Sequence, residues 1–264
     1  MESKDPHQID AIWAAMETEK GDLIDRVEEY SRWTVAAIMP PDGGEGVEQV
    51  KGNVHSGARL VNHLANKIVN VLFPISRPFF TVAMTPEAQL KLEQELGEDE
   101  AGKMQESIRD ATSKLEKVAM RKLSLTEYRP TAILASKHLI VAGNALLRRM
   151  SDDKRVLYPV NRYGVRRNIL GQEIEVILAD KKMFSTFSTE MQELILAVHP
   201  AAKPEDDVEL LTHYKKDNKR WTINQEADGV NLNNEYHQNE ADYDLLILDW
   251  SLHPGENYGR GLVE

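Results

Sequence analysis

Eight histidines, His7, His55, His63, His138, His199, His213, His237 and His253, are the side chains of this 264-residue chain best suited to hold a metal or carry a proton near neutral pH. A helical zinc site needs two of them four residues apart on one face, or an HExxH run, and the sequence contains neither. His63 and His138 sit in otherwise apolar helical stretches, which suits packing or an interface better than ligation. Carboxylates cluster at Glu98-Asp99-Glu100, Asp152-Asp153 and Glu205-Asp206-Asp207, where solvated turns between elements account for them more simply than a divalent ion does. There is no GxSxG elbow for a nucleophilic serine. Lys51-Gly52-Asn53 does not complete the loop whose backbone amides and lysine cradle phosphates. With no cysteine, thiolate chemistry, thiolate metal sites and disulfides are excluded. No metal or cofactor is expected. An enzyme, such as a hydrolase, would need an active site gathered from distant residues.

One charged stretch runs against the chain's balance. The whole carries a net charge of −11, which argues against gripping nucleic-acid phosphates over much of the surface. Between positions 148 and 167, however, Arg148, Arg149, Lys154, Arg155, Arg162, Arg166 and Arg167 face only Asp152 and Asp153. In alternating strands such residues ordinarily occupy the solvent face. The sharper reading makes Arg148, Arg149, Arg155, Arg162, Arg166 and Arg167 an interface, pairing with acid on a neighbouring subunit or with DNA phosphate. Under that reading, charge reversal at Arg166 and Arg167 impairs assembly or packaging.

The elements that must position these residues divide the chain in two. Ile9, Ile12, Met16, Leu23, Ile24, Val27, Tyr30 and Trp33 recur every three or four residues, with Gly21 between two helices. Pro40 and Pro41 then open a glycine-rich, charged loop over 40–52. Residues 57–73 form the clearest helix, with Ser56 a candidate cap, and Pro74 and Pro78 close it. Phe79–Met84 is a short strand candidate, and Thr85 with Pro86 starts another helix. Met104, Ile108, Ala111, Leu115, Val118 and Ala119 mark a long helix with one wet face, and a further apolar helix runs from Thr131 to Ala142. From Ala145 the period changes to that of strands, at 145–149, 155–160, 163–169, 173–179, 208–214, 220–225 and 243–250, with a short helix over 188–198 capped by Ser188. Turns are expected at Leu170-Gly171-Gln172 and Lys216-Asp217-Asn218. The fold class is α+β: a helical region, residues 1–144, followed by a small mixed or antiparallel β region, residues 145–254, and a terminal turn, residues 255–264.

Three stretches resemble, in order, the head-to-tail connector family of short-tailed bacteriophages. The first runs from Gly57 and Arg59 through Asn62, Leu64 and Lys67 to Pro74. The second runs from His138 to Leu147, through the helix exit at Gly143 and Asn144. The third is the turn at Gly255, Tyr258, Gly259 and Arg260. Each has a mechanical role of its own: glycines permit tight reversals, Pro74 fixes a helix exit, and Arg260 is placed to hold a carbonyl or carboxylate. The resemblance implies the N-terminal half, or wing, of a portal subunit. Such subunits form a ring, dodecameric when full length, at one capsid vertex of the virion. DNA is packaged and ejected through that ring, and the tail attaches to it. The implied partners are other portal subunits, major capsid protein, scaffold, terminase, tail adaptor proteins and genomic double-stranded DNA, with ATP hydrolysis left to the terminase. Synthesis would be in the bacterial cytoplasm. No apolar run approaches the roughly 20 residues that span a bilayer, so no membrane contact is expected. Because the chain stops soon after Arg260, where the family's stem helix follows, a fragment is expected. A different virion protein, an adaptor or scaffold-binding factor sharing the wing fold, is the alternative.

Overall fold

The computed structural model describes residues 8–39, 54–75, 77–151 and 154–263. The expected loop over 40–52, His7, Asp152 and Asp153 lie outside these residues, as does the side chain of His55.

Helices α1 (Gln8–Glu19) and α2 (Gly21–Trp33) meet at a corner built on Lys20. Its buried ammonium donates to the carbonyls of Val160, Asn161 and Tyr163 at 3.2, 3.3 and 2.9 Å and lies 4.3 Å above the Trp13 ring. Burial lowers its pKa to about 8. Helix α3 (Val54–Leu72) begins two residues before Ser56, so that serine sits inside the first turn and not at the cap position. Helix α4 (Pro86–Leu96) is capped as expected, the Ala88 amide donating to Thr85 Oγ1 at 3.3 Å.

Two further expectations fail in this region. Glu98-Asp99-Glu100 is not a loop: it is the first turn of α5 (Glu98–Ser124), where acidic residues favour the positive end of the helix dipole. Phe79–Met84 joins no sheet. The Val82 amide donates to the Glu116 carboxylate at 2.7 Å, and the Phe79 ring packs edge-on against Phe73 with centroids 5.0 Å apart. Helix α6 (Tyr128–Ala142) starts before Thr131 because Pro130 is tolerated in a first turn, whose amides lack helical acceptors anyway.

The strand half begins with β1 (Asn144–Arg149), β2 (Arg155–Tyr158), β3 (Tyr163–Arg167) and β4 (Glu173–Met183). After α7 (Thr189–Val198) come β5 (Asp207–Asp217), β6 (Arg220–Ala227), β7 (Val230–Asn231), β8 (Tyr236–Asn239) and β9 (Leu245–Asp249). They make two antiparallel sheets, β2-β1-β9 and β3-β4-β5-β6-β7, with β8 also on β6. Ser188 caps α7 through the Met191 amide, and Asn218 takes φ 53° in the expected β5–β6 turn. The architecture is α+β, helices then strands.

The largest core joins both halves. Val27 of α2, Val61 and Ala65 of α3, and Ile140 and Val141 of α6 pack with Leu146, Tyr163, Val176, Tyr214, Trp221 and Ile223 from the sheets. Helix α1 covers the long sheet separately, laying Ile9, Trp13 and Met16 on Ile177, Ala179 and Leu211. Gly164 gives Met16 room for that approach, since a Cβ there would stand 2.5 Å from the Met16 sulfur and the methionine would have to shift. The buried Glu226 carboxylate of β6 accepts the Ile9 amide at 3.3 Å, satisfying a donor that a helix start leaves open. By contrast, Ala101 is the one α4 or α5 side chain fully enclosed among the described residues, and neither helix contributes to any of the four core clusters.

Candidate functional site

The second and third of the three singled-out stretches interlock. Helix α6 ends on Gly143, which takes φ 73° and donates its amide to Leu139 O. A Cβ at this glycine would lie 2.3 Å from the carbonyl carbon of Arg260, so the position needs glycine for both its angle and its neighbour. Asn144, fully enclosed, donates Nδ2 to Ala142 O at 2.7 Å and to Gly259 O at 2.8 Å. Its Oδ1 accepts the Gly259 amide at 2.8 Å. The Trp250 amide reaches Gly143 O at 2.9 Å, the Arg260 amide reaches Ser251 O at 2.9 Å, and the Leu262 amide reaches Ile140 O at 2.8 Å. The terminal turn is therefore threaded into the exit of α6 by side-chain and backbone bonds together.

The first stretch meets α6 through the main core and at the other end of that helix. Gly57 lets α3 approach the end of α2, since a Cβ would stand 2.3 Å from Trp33 O. Leu64 packs against the main core beside α6; Asn62 is half-buried, with its carbonyl accepting the Asn66 amide group at 2.7 Å, while Arg59 and Lys67 are exposed. Beyond α3, Pro74 fixes the chain direction, and Arg129 in the first turn of α6 donates Nη1 to Phe73 O at 2.7 Å and Nη2 to Asn70. Gly255 takes φ 86° at the surface, and Arg260 bonds Glu256 of its own turn at 2.8 Å.

Arg167 is the second fastening. Its side chain is 4% exposed, and it donates Nη2 to Asp249 Oδ2 at 2.7 Å, Nη1 to Glu173 Oε1 and Gly171 O at 2.9 Å, and Nε to Asn257 O at 3.2 Å. One guanidinium thus joins the long sheet, the short sheet and the terminal turn. Burial pushes the Asp249 carboxyl up while Arg167 pulls it back down. The same turn covers the open edge of β3: the Arg167 amide donates to Asn257 Oδ1 at 2.9 Å and the Val165 amide to the Tyr258 hydroxyl at 3.1 Å. Burial raises the Tyr258 hydroxyl to about 12, so it stays neutral.

The six basic residues expected to act together are dispersed. Arg148 donates to Asp244 at 3.1 Å from a half-buried position, and Arg166 bonds Glu19 at 2.7 Å and Glu175 at 3.1 Å. Arg149 and Arg155 are exposed and Arg162 is half-buried. Arg167 departs furthest from a solvent-facing residue. Reversing charge at Arg166 and Arg167 would therefore break contacts within the chain before reporting on any partner. The histidines separate too: His63 is exposed, His138 is buried and held at about 4 by burial with Lys137 beside it, and His213 meets Glu175 at 2.9 Å. Among the described residues no three His, Asp or Glu converge as a metal site would require, and no helix is long and apolar enough to cross a membrane.

Asn257 and Asp249 carry structural weight but were not among the residues singled out in the sequence. Asn257 lies inside the third stretch and could have been noticed there. Asp249 ends a strand with no local signal.

Comparison with known proteins supplies the remaining finding. A family model described as bacteriophage head to tail connecting protein matches residues 6–264. The portal protein of Enterobacteria phage SP6 is 31% identical over 260 residues, which is 97% of this chain and 49% of that protein. The portal protein of Pseudomonas phage phiKMV is 31% identical over 267 residues, 95% of this chain and 50% of its own length. That of Escherichia phage T7 is 22% identical, covering 96% and 48%. The chain spans about half the length of the curated relatives it matches.

Proposed function

We propose, from the premise that this chain belongs to the bacteriophage head to tail connecting protein family, that it is a structural portal subunit whose described part is a rigid mount. Residues 1–144 and 145–254 form the wing of that subunit, and residues 255–264 are the turn that leads out of it. The observation that carries this reading is the fastening of the terminal turn to Asn144 and Arg167. Force applied to chain beyond that turn passes into two sheets and α6 at once, as a conduit under load requires. The role is mechanical and not catalytic. The portal ring sits at the capsid vertex of the virion, passes double-stranded DNA during packaging and ejection, and meets capsid, scaffold, terminase and tail adaptor proteins. Arg149, Arg155 and Arg162, which make no carboxylate pair among the described residues, are the basic side chains open to a neighbouring subunit or to DNA. The net charge of −11 suits a conduit to which DNA must not adhere.

Negative-stain microscopy of the protein as its gene encodes it tests the reading. Rings with a central channel are expected; solid or elongated particles would move the assignment to another virion adaptor.

A further inference from the structure

Helix α5 carries an apolar stripe that stands clear of the rest of the described chain. Ala101, Ile108, Ala119 and Leu123 are buried or half-buried on one side of it. About a quarter-turn away, Ala111, Leu115 and Val118 face solvent, with Leu115 57% and Val118 65% exposed. Lys114 and Arg121, exposed and seven residues apart, line one flank of that stripe. The one carboxylate between Ala111 and Ser124 is Glu116, which is held by the Val82 amide at 2.7 Å. This half of α5 is therefore bulky, apolar and basic, and none of the four cores of its own chain takes it up.

The outer face of α1 is its counterpart. Ala11, Ala14, Ala15 and Thr18 are exposed at the steps of one helical face, and the Thr18 hydroxyl already donates to Ala14 O at 2.9 Å. Asp10 and Glu17, exposed and again seven apart, line one flank, and no residue of α1 is basic. A small, smooth face edged with acid can receive a bulky one edged with base. We propose that α5 of one copy packs antiparallel on α1 of the next. With Leu115 over Ala14, the reversed direction sets Val118 over Ala11 and Ala111 over Thr18, so the two bulky side chains each meet an alanine. Each flanking charge immediately precedes a residue in line with its stripe: Lys114 comes before Leu115 and Arg121 before Lys122, Asp10 before Ala11 and Glu17 before Thr18. The flanks thus lie on the same side of both stripes, and only reversing one helix brings them together. In this register Lys114 stands beside Glu17 and Arg121 beside Asp10, whereas a parallel arrangement separates base from acid. The contact takes a different surface from each partner, so every copy keeps one of each for a further neighbour and the series can close as a ring. It deepens the connector reading, on which it rests, by naming a surface through which neighbours meet.

The sequence has no cysteine, so a disulfide can report the contact in the 264-residue chain. Val118→Cys with Ala11→Cys is expected, on oxidation, to give a ladder of covalent dimers, trimers and larger species on non-reducing electrophoresis. Both positions are exposed, so the thermal transition should not move. An equal mixture of the two single-cysteine chains should give dimers only. Lys114→Glu with Arg121→Glu in the Val118→Cys chain is expected to slow its crosslinking to the Ala11→Cys chain by about tenfold or more. Asp10→Lys with Glu17→Lys in the Ala11→Cys chain restores it. Monomers alone after oxidation, or crosslinking as strong in the Val118→Cys chain by itself, overturns the pairing of α5 with α1. A ladder that stops at dimers overturns its continuation from copy to copy, and a charge swap that fails to restore crosslinking overturns the antiparallel register. None of these outcomes depends on the channel sought by microscopy of the gene product, so the pairing and the connector reading fail separately.

Discussion

Arg166 and Arg167 are adjacent and identical in type, yet the fold gives them unequal weight. The β3–β4 ladder shifts register between them, pairing Arg166 with Glu175 and Arg167 with Glu173. Arg166 keeps 30% of its side chain exposed, whereas Arg167 is enclosed with Asp249, itself 13% exposed. Arg167→Ala is expected to cost about 3–5 kcal/mol, because a carboxylate is left buried without its cation. Arg166→Ala should cost under about 1 kcal/mol. Urea unfolding midpoints measure both, and equal losses would count against the fastening described for Arg167. His138 gives a second residue-level expectation. Its pKa falls from the usual 6.5 to about 4 because burial disfavours the cation. The unfolded chain therefore takes up the proton first as pH falls. Stability is complete above pH 6.5 and drops by about 3 kcal/mol on the way to pH 4, a drop that His138→Gln should remove. A variant with the same acid slope as the parent would show that other groups set it. Neither role was legible beforehand: a strand pattern does not reveal a shifted ladder, and a histidine in an apolar helix does not announce whether it is enclosed, as His63 on its exposed face shows.

At the scale of elements, the sequence foretold what carries strong periodicity. Helices α1, α2, α3 and α6 follow their apolar spacing because that face is what they bury. It was silent on β8, whose Tyr236-His237-Gln238-Asn239 run is polar and nearly all exposed on an outer strand, so no alternation marks it. The short β7 could have been found, since Asp228 and Gly229 both take positive φ in a hairpin turn of a type that favours this residue pair. Phe79–Met84 has strand-like residues but no neighbouring strand, and its aromatics serve a joint instead. Phe73, Phe79 and Tyr128 meet with centroids 5.0 to 6.2 Å apart at the base of α4 and α5. Since that pair of helices adds nothing to the cores, the joint is its main anchor. Phe79→Ala should speed amide exchange in α4 and α5 by about tenfold and leave β4 and β5 unchanged, as read by exchange mass spectrometry. Uniform acceleration would mean that the arm and the sheets open together.

For the molecule as a whole, the change of period near residue 144 was legible, but it does not divide the packing. Val61, Ile140, Leu146, Tyr163 and Trp221 share one core across it. Expressed separately, residues 1–143 and 144–264 are each expected to lack a cooperative thermal transition, while the intact chain shows one. Calorimetry of the two pieces decides, and a sharp transition in either would indicate an independent unit. The three resembling stretches were visible as motifs; that the second and third form one junction was not, because only the folded chain brings them together. The bond between Asn144 and Gly259 spans 115 residues. On the ribosome the socket at the end of α6 is therefore made early and stays open, its polar groups wet and the edge of β3 uncovered, until the turn has left the exit tunnel. The junction locks only after its last member, Leu262, has emerged, so the order of synthesis keeps an unfinished chain from presenting a finished shape.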